Sequence, residues 1–325
     1  MTSNASITRQ RSGRGFAYYL NGALITDKPL LQYIRSLAVP PAWQQVLISR
    51  SPTAKVLASG IDEAGRKQAI YHPEFRASQD EAKFERILQF GQQLPGLRRQ
   101  VEKDLARRTL GKDKVLACIV RLMDEAYFRV GNEQYAKQNH HYGITTLRSK
   151  HADITTTSVT FDFVGKSGKQ HHKRINDRQI ARIIKQLDDL PGYEIFKYVD
   201  TDDSMHNITS QDVNDYIKHH MGQEYSAKDF RTWGGTLLAA AELAVLERAS
   251  DQREYKKLVT TCVKNVAKRL GNTPAVTRSS YIDPRIFEAY QTDELNKVRQ
   301  AVEKLKPRKY MKPEERCLLQ LLRSM

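Results

Sequence analysis

Apolar positions change their spacing partway along the chain. Up to about Tyr71 they come in short runs separated by turn-forming residues, a pattern that predicts strands. Phe16–Leu20 is one run, and Asn21-Gly22 is a hairpin turn before Ala23-Leu24-Ile25. Pro40-Pro41 punctuates the middle, and Val46-Leu47-Ile48 is another run. A single helix fits between Pro29 and Leu37, with Leu30, Leu31 and Ile34 on one face.

Beyond Pro73 the spacing becomes helical. Asp80 to Phe90 places Phe84, Ile87 and Leu88 together, and further helices fit Leu97–Arg108 and Lys114–Tyr127. Ile154–Phe163 alternates as a strand does, Gly165-Lys166-Ser167-Gly168 turns, and a polar strand returns. Ile175–Leu187 is helical, Ser210 is placed to cap Gln211–His219, and Ala227–Ala249 is rich in alanine and leucine. Val263–Leu270 stops at Gly271, and Asp293–Leu322 divides into two helices near Pro307. The fold class expected is α+β. A β-rich domain covers residues 15–75 and a larger, mainly helical domain covers 80–325. Residues 1–14 read as a disordered basic tail, and the linker falls between Pro73 and Asp80.

Charge then narrows the partners. The 325 residues carry a formal charge of +16, which favours a polyanion such as nucleic acid. No run of about 18 apolar residues occurs, so no membrane span is expected. Met1 to Arg14 lacks the apolar core of a secretory signal. Cys118, Cys262 and Cys317 are far apart and outside any CxxC, which argues against a disulfide framework or a structural zinc and fits a reducing, cytoplasmic setting.

Most catalytic motifs are missing. Gly165-Lys166-Ser167 resembles the end of a phosphate-binding loop, but Thr160 stands where its first glycine belongs, and the segment lies between strands. Asp200-Thr201-Asp202-Asp203 reads as a solvated loop. The pairs His140-His141, His171-His172 and His219-His220 point their members apart, so no metal is expected. No GxSxG, HExxH or GxGxxG occurs.

Basic residues gather instead. Arg98 to Lys114 is dense in them, and Lys166, Lys169, Lys173 and Arg174 follow Phe163 with His171 and His172 between; both stretches suit a phosphate backbone. Three blocks add arginine, asparagine and tyrosine in tight settings. The first is Phe128-Arg129-Val130-Gly131-Asn132-Glu133-Gln134-Tyr135 with Tyr142-Gly143-Ile144-Thr145-Thr146-Leu147. The second is Ala227-Lys228-Asp229-Phe230-Arg231-Thr232-Trp233-Gly234-Gly235. The third is Arg269-Leu270-Gly271-Asn272-Thr273-Pro274 followed by Ser279-Ser280-Tyr281. An arginine among apolar residues needs an anionic partner, and a sharp helix join at Gly271 aims Asn272 and Tyr281 at one place. Read singly, each piece also fits a structural role: a core salt bridge, a plain cap, packing.

Together, and in this order from about Gly15 to Tyr290, the blocks resemble the type IB DNA topoisomerases, in their compact poxvirus and bacterial form. Pro40-Pro41-Ala42-Trp43, Gly60-Ile61-Asp62 and Gly65-Arg66-Lys67-Gln68 before Tyr71 look like that family's amino-terminal DNA-clamping domain. The resemblance puts the catalytic arginines at Arg129 and Arg231, the general-acid lysine at Lys166 in a hairpin turn, and the nucleophile at Tyr281. Asn272 stands where the poxvirus enzymes have histidine, so its role would be neutral hydrogen bonding to a phosphate oxygen. Gln68, Tyr71, Asn132, Tyr135 and Lys228 are implied DNA contacts.

The function implied is relaxation of supercoiled duplex DNA through a 3′-phosphotyrosyl intermediate, without cofactor, metal or nucleotide. The protein would act as a monomer in the cytoplasm at the nucleoid, or in a viral factory or virion. The nearest rival is a tyrosine recombinase, which carries HxxR where this chain has Lys228 before Arg231. A non-catalytic DNA-binding module is the other.

Overall fold

In the computed structural model of the protein, residues 6–63, 65–200, 202–306 and 308–325 are described. The fold is α+β and divides into two compact units, residues 1–83 and 84–325.

The first unit is built on a six-stranded antiparallel sheet of order β3-β2-β1-β4-β5-β6. Its strands are β1 (Ser6–Ser12), β2 (Gly15–Leu20), β3 (Ala23–Leu24), β4 (Gln44–Ser49), β5 (Val56–Ile61) and β6 (Lys67–Tyr71). Helix α1 (Lys28–Ser36) starts at Asp27, whose side chain accepts from the Leu30 amide, with Pro29 in its first turn. Ile7, Ile34, Val46, Ile48 and Ala58 form the core of this unit.

Residues 6–12 overturn the expected disordered tail: they form an interior strand. Ile7 is fully buried, and Arg9 donates to the carbonyls of Val39, Pro40 and Trp43 while lying 4.1 Å over the Phe16 ring. An arginine satisfied by three carbonyls is part of the architecture here, and so reads as polar tail only until its partners are seen. Residues 1–5 of that tail lie outside the described residues.

The expected linker is helix. Helix α2 (Pro73–Leu105) runs unbroken through Pro73–Asp80, merges two anticipated helices and holds Pro95 inside, so the unit boundary falls within it. Helices α3 (Lys112–Ala126) and α4 (Glu133–Asn139) follow. A three-stranded antiparallel sheet comes next, β7 (Ala152–Ile154), β8 (Val159–Val164) and β9 (Gln170–Ile175), with Phe161 opposite Lys173 and Phe163 opposite His171. Then come α5 (Arg178–Asp188), the pair β10 (Lys197–Val199) and β11 (Met205–Asn207), and α6 (Ser210–Met221). The cap of α6 is Thr209 rather than Ser210, in a reciprocal box with Asp212.

Helix α7 (Ala227–Leu243) ends six residues before the expected Ala249, because Ser250 and Asp251 bind Glu254 and open α8 (Gln252–Leu270). The first half of α8 was hidden by its charged outer face; Val259, Cys262, Val263 and Val266 form the inner one. Helices α9 (Pro274–Ser280), α10 (Arg285–Gln291), α11 (Glu294–Glu303) and α12 (Pro313–Ser324) complete the chain. Pro307, the expected division of the tail, lies outside the described residues, as does Thr201 of the acidic loop.

The basic stretch 98–114 is structural in large part. Arg98 is buried between Asp124 and Glu315, at 2.7 and 2.6 Å, and donates to the Tyr310 carbonyl, joining α2, α3 and α12. Arg107 pairs with Asp104 and Asp113, Lys112 with Asp212, and Lys114 donates to the Arg107 carbonyl.

Candidate active site

Two helix ends create the site. Helix α3 stops at Tyr127, whose backbone is left-handed (φ +57°), and α8 stops at Gly271 (φ +65°). Each end leaves carbonyls without intrahelical partners, at the negative pole of its helix. Arg231, on α7 and 3% exposed, donates Nη1 to the Tyr127 carbonyl (2.6 Å) and Nη2 to the Leu270 carbonyl (2.8 Å). Arg129, three residues past the end of α3, donates Nη2 to the Gly271 carbonyl (3.1 Å) and to Asn272 Oδ1. The arginines are thus held by neutral main-chain oxygens and an amide. Burial pushes the Arg231 guanidinium down to about 10, Arg129 adds to this, and the Tyr281 side chain offsets part. Arg129 is lowered by burial as well, with Tyr281 opposing.

Asn272 is orientated by this contact. A guanidinium has only donors, so the atom facing Arg129 is the amide oxygen and Nδ2 points away. Nδ2 of Asn272 and Nε of Arg231 are buried with no hydrogen-bond partner among the described residues. Thr273 then caps α9 by accepting from the Val276 amide, with Pro274 at its first position.

Tyr281 caps the other end of α9, its amide donating to the Thr277 carbonyl at 3.0 Å. Its ring centroid lies 5.2 Å from the Arg231 guanidinium carbon. The Tyr281 carbonyl packs on α7 at Gly235, one turn after Arg231, and accepts from Thr236 Oγ1 at 3.4 Å. Arg129, Arg231, Asn272 and Tyr281, taken from three separate sequence blocks, therefore meet at one place.

Lys166 does not join them. It is exposed on the turn Lys166–Gly168, where Ser167 (φ +62°) and Gly168 (φ +70°) are left-handed, and no hydrogen bond or ion pair ties it to the other four among the described residues. The strand after that turn reaches the site instead. His171 and Lys173, expected to track a phosphate backbone, both turn inward from β9. His171 stacks on Phe163 at 5.0 Å, and its ring so closely covers Gly271 that a Cβ there would stand 2.0 Å from it. Burial, aided by Lys173 and the two arginines, pushes His171 down to about 4, so it is neutral at pH 7. The signal was present: carrying the inward period of Phe161 and Phe163 through the hairpin puts 171 and 173 on the same face. Of the others in that stretch, His172 pairs with Asp162 and Arg174 with Asn176.

The expected DNA contacts are dispersed. Gln68 Nε2 donates to Asp62 at 2.9 Å, in the hairpin where Arg66 also binds Asp62. Tyr71 is exposed with its ring 5.8 Å from Phe75. Asn132 caps α4 by accepting from the Tyr135 amide, and Tyr135 is half-buried. Lys228 is exposed in the first turn of α7. Among the described residues no cluster of three or more His, Cys, Asp or Glu is placed to hold a metal ion, and no helix is long and apolar enough to cross a membrane.

Comparison with known proteins agrees in extent. Residues 72–309 match the family described as eukaryotic DNA topoisomerase I, catalytic core, and residues 15–62 match the bacterial DNA topoisomerase IB, N-terminal domain. The chain is 33% identical over 296 residues to DNA topoisomerase 1B of Acanthamoeba polyphaga mimivirus, covering 88% of each protein. It is 22% identical over 293 residues to DNA topoisomerase 1B of Vaccinia virus (strain Copenhagen), covering 83% of this chain and 88% of that one.

Proposed function

The chain belongs to the type IB DNA topoisomerase family, and on that premise we propose that Tyr281 is the nucleophile with which it relaxes supercoiled duplex DNA. The phenol loses its proton to water and its oxygen attacks the scissile phosphorus in line. A bond forms from that oxygen to phosphorus, the bond to the 5′ oxygen of the next sugar breaks, and the 3′ end stays on the enzyme as a phosphotyrosine. The freed 5′ end turns about the intact strand, and its attack on the phosphotyrosine reverses the step. The ester preserves the phosphodiester energy, so resealing needs no nucleotide.

The convergence of buried Arg231, stacked on the Tyr281 ring, with half-buried Arg129 at the same two helix ends is the observation that supports this reading. Arg129 and Arg231 hold the non-bridging oxygens as negative charge grows, using donors that the helix-end carbonyls leave free. Nδ2 of Asn272 supplies a further neutral donor. Lys166 gives its proton to the leaving 5′ oxygen, reaching it from the exposed hairpin turn when duplex is bound. Tyr71, Tyr135, Asn132, Gln68 and Lys228 contact the duplex around the break. The enzyme works as a monomer, in a nucleoid or a viral factory.

The test is Tyr281→Phe. With plasmid present and EDTA added, the native protein relaxes supercoils without ATP and leaves a denaturant-resistant adduct. The variant binds duplex but forms none. An adduct of native yield in the variant would reject Tyr281.

A further inference from the structure

We propose that Lys173 is a positioning residue for strand cleavage, a cross-brace that fixes the two helix ends from which Arg231 and Arg129 are aimed. This rests on the reading of Tyr281 and the arginines as the cleavage site. Lys173 leaves β9 on the same face as His171 and crosses the Phe128 ring, its ammonium nitrogen 5.3 Å from the centroid. Nζ then donates to the Ala126 carbonyl of α3 (2.5 Å) and the Arg269 carbonyl of α8 (3.5 Å). Those oxygens are the immediate chain neighbours of the Tyr127 and Leu270 carbonyls that receive Arg231. One side chain thus ties together the two pieces of backbone that orientate one guanidinium, and Gly271, the acceptor of Arg129, is two residues beyond Arg269. A displacement of about 1 Å at such groups costs on the order of a hundredfold in rate.

The choice of lysine is physically expensive. Charged groups act on its ammonium from every side: Arg231 on α7, Arg129 after α3 and Arg269 on α8 are all arginines. The other titratable groups nearby are neutral at pH 7, His171 two residues back on β9 and Tyr127 at the end of α3, the latter pushed up to about 12 by burial. Burial and the three arginines push Lys173 down to about 7. Between pH 7 and 10.5 the unfolded chain binds the extra proton, so its titration is felt within the working range. Below pH 7 the brace is an ammonium, with three donors and a charge that the incoming phosphate sees. Above it the brace is an amine.

The experiment measures single-turnover cleavage of a duplex oligonucleotide at subsaturating DNA from pH 5.5 to 9, together with duplex affinity. Lys173→Met keeps the length but removes every donor; cleavage should fall at least ~30-fold while affinity stays within about threefold. Lys173→Arg can donate to both carbonyls and stays charged; it should recover cleavage to within about fivefold of native and lack the decline that the native rate shows as pH rises through about 7. Native-like cleavage by Lys173→Met overturns the proposal. So does a Lys173→Arg profile that keeps the native decline, and this arm decides the matter should the methionine variant fail to fold. Failure of the underlying reading has a different sign, adduct formation by Tyr281→Phe.

Discussion

Gly235 and the carbonyl of Tyr281 are in such close contact that a Cβ on the glycine would stand 2.4 Å from that oxygen. Gly235 lies four residues after Arg231, on the same face of α7, so the contact sets how far the tyrosine stands from the guanidinium. Gly235→Ala should push the Tyr281 backbone off α7 and lower single-turnover cleavage about a hundredfold, with duplex affinity little changed. Native-rate cleavage by a folded Gly235→Ala protein would show that this contact does not position the nucleophile.

The acid role proposed for Lys166 rests on the resemblance, since its turn stands apart from the arginines. Lys166→Ala should slow cleavage by about a hundredfold or more. A substrate with sulfur in place of the leaving 5′ oxygen should restore most of the rate, because a thiolate departs without a proton. Equal impairment on both substrates would assign Lys166 to binding.

Arg231→Lys keeps a charge but loses the fork that spans two helix ends. Cleavage should drop by about a hundred- to a thousandfold, measured as adduct formation per turnover. A change of less than tenfold would mean that charge alone suffices there.

Acid stability should report two neutral histidines. His171 and His151 are both pushed down to about 4 by burial, and His151 Nδ1 accepts from the Arg148 amide. Between pH 4 and 6.5 the unfolded chain binds more protons, so stability rises with pH across that window and is lost as pH falls through it. Each ring accounts for on the order of 2 kcal/mol. His151→Gln should flatten the dependence of Tm on pH between 4 and 6.5; an unchanged slope would remove His151 from the account.

Glu315→Gln tests the interior. It leaves Arg98 with Asp124 as its one carboxylate in a buried setting and should cost about 3 kcal/mol by denaturant unfolding. A loss below 1 kcal/mol would mean that water reaches the pair.

The four converging residues are legible in the sequence because three blocks, taken together and in order, resemble the type IB topoisomerases; read singly, Arg129, Arg231, Asn272 and Tyr281 fit a core salt bridge, a plain cap or packing equally well. What the sequence hid has one cause. A charged residue reads as solvent-facing until its partners are known. Arg9 looked like tail and is wedged against three carbonyls; Arg98 looked like a DNA contact and is locked between two acids; Lys173 looked like the rim of a loop and is a brace. The charged outer face of α8 likewise concealed half of that helix, and the unbroken run of α2 through Pro73–Asp80 left no composition break where the units divide.

Below pH 7, holding Lys173, Arg129 and Arg231 against oxygens that bear no formal charge leaves their mutual repulsion only partly offset, by Tyr281, in the resting protein. Such a molecule is frustrated at its centre: the forces that ready it for phosphate also loosen it. Arg129→Met should therefore melt at a higher temperature than native protein while being catalytically dead, and added duplex should tighten the native fold far more than the variant's.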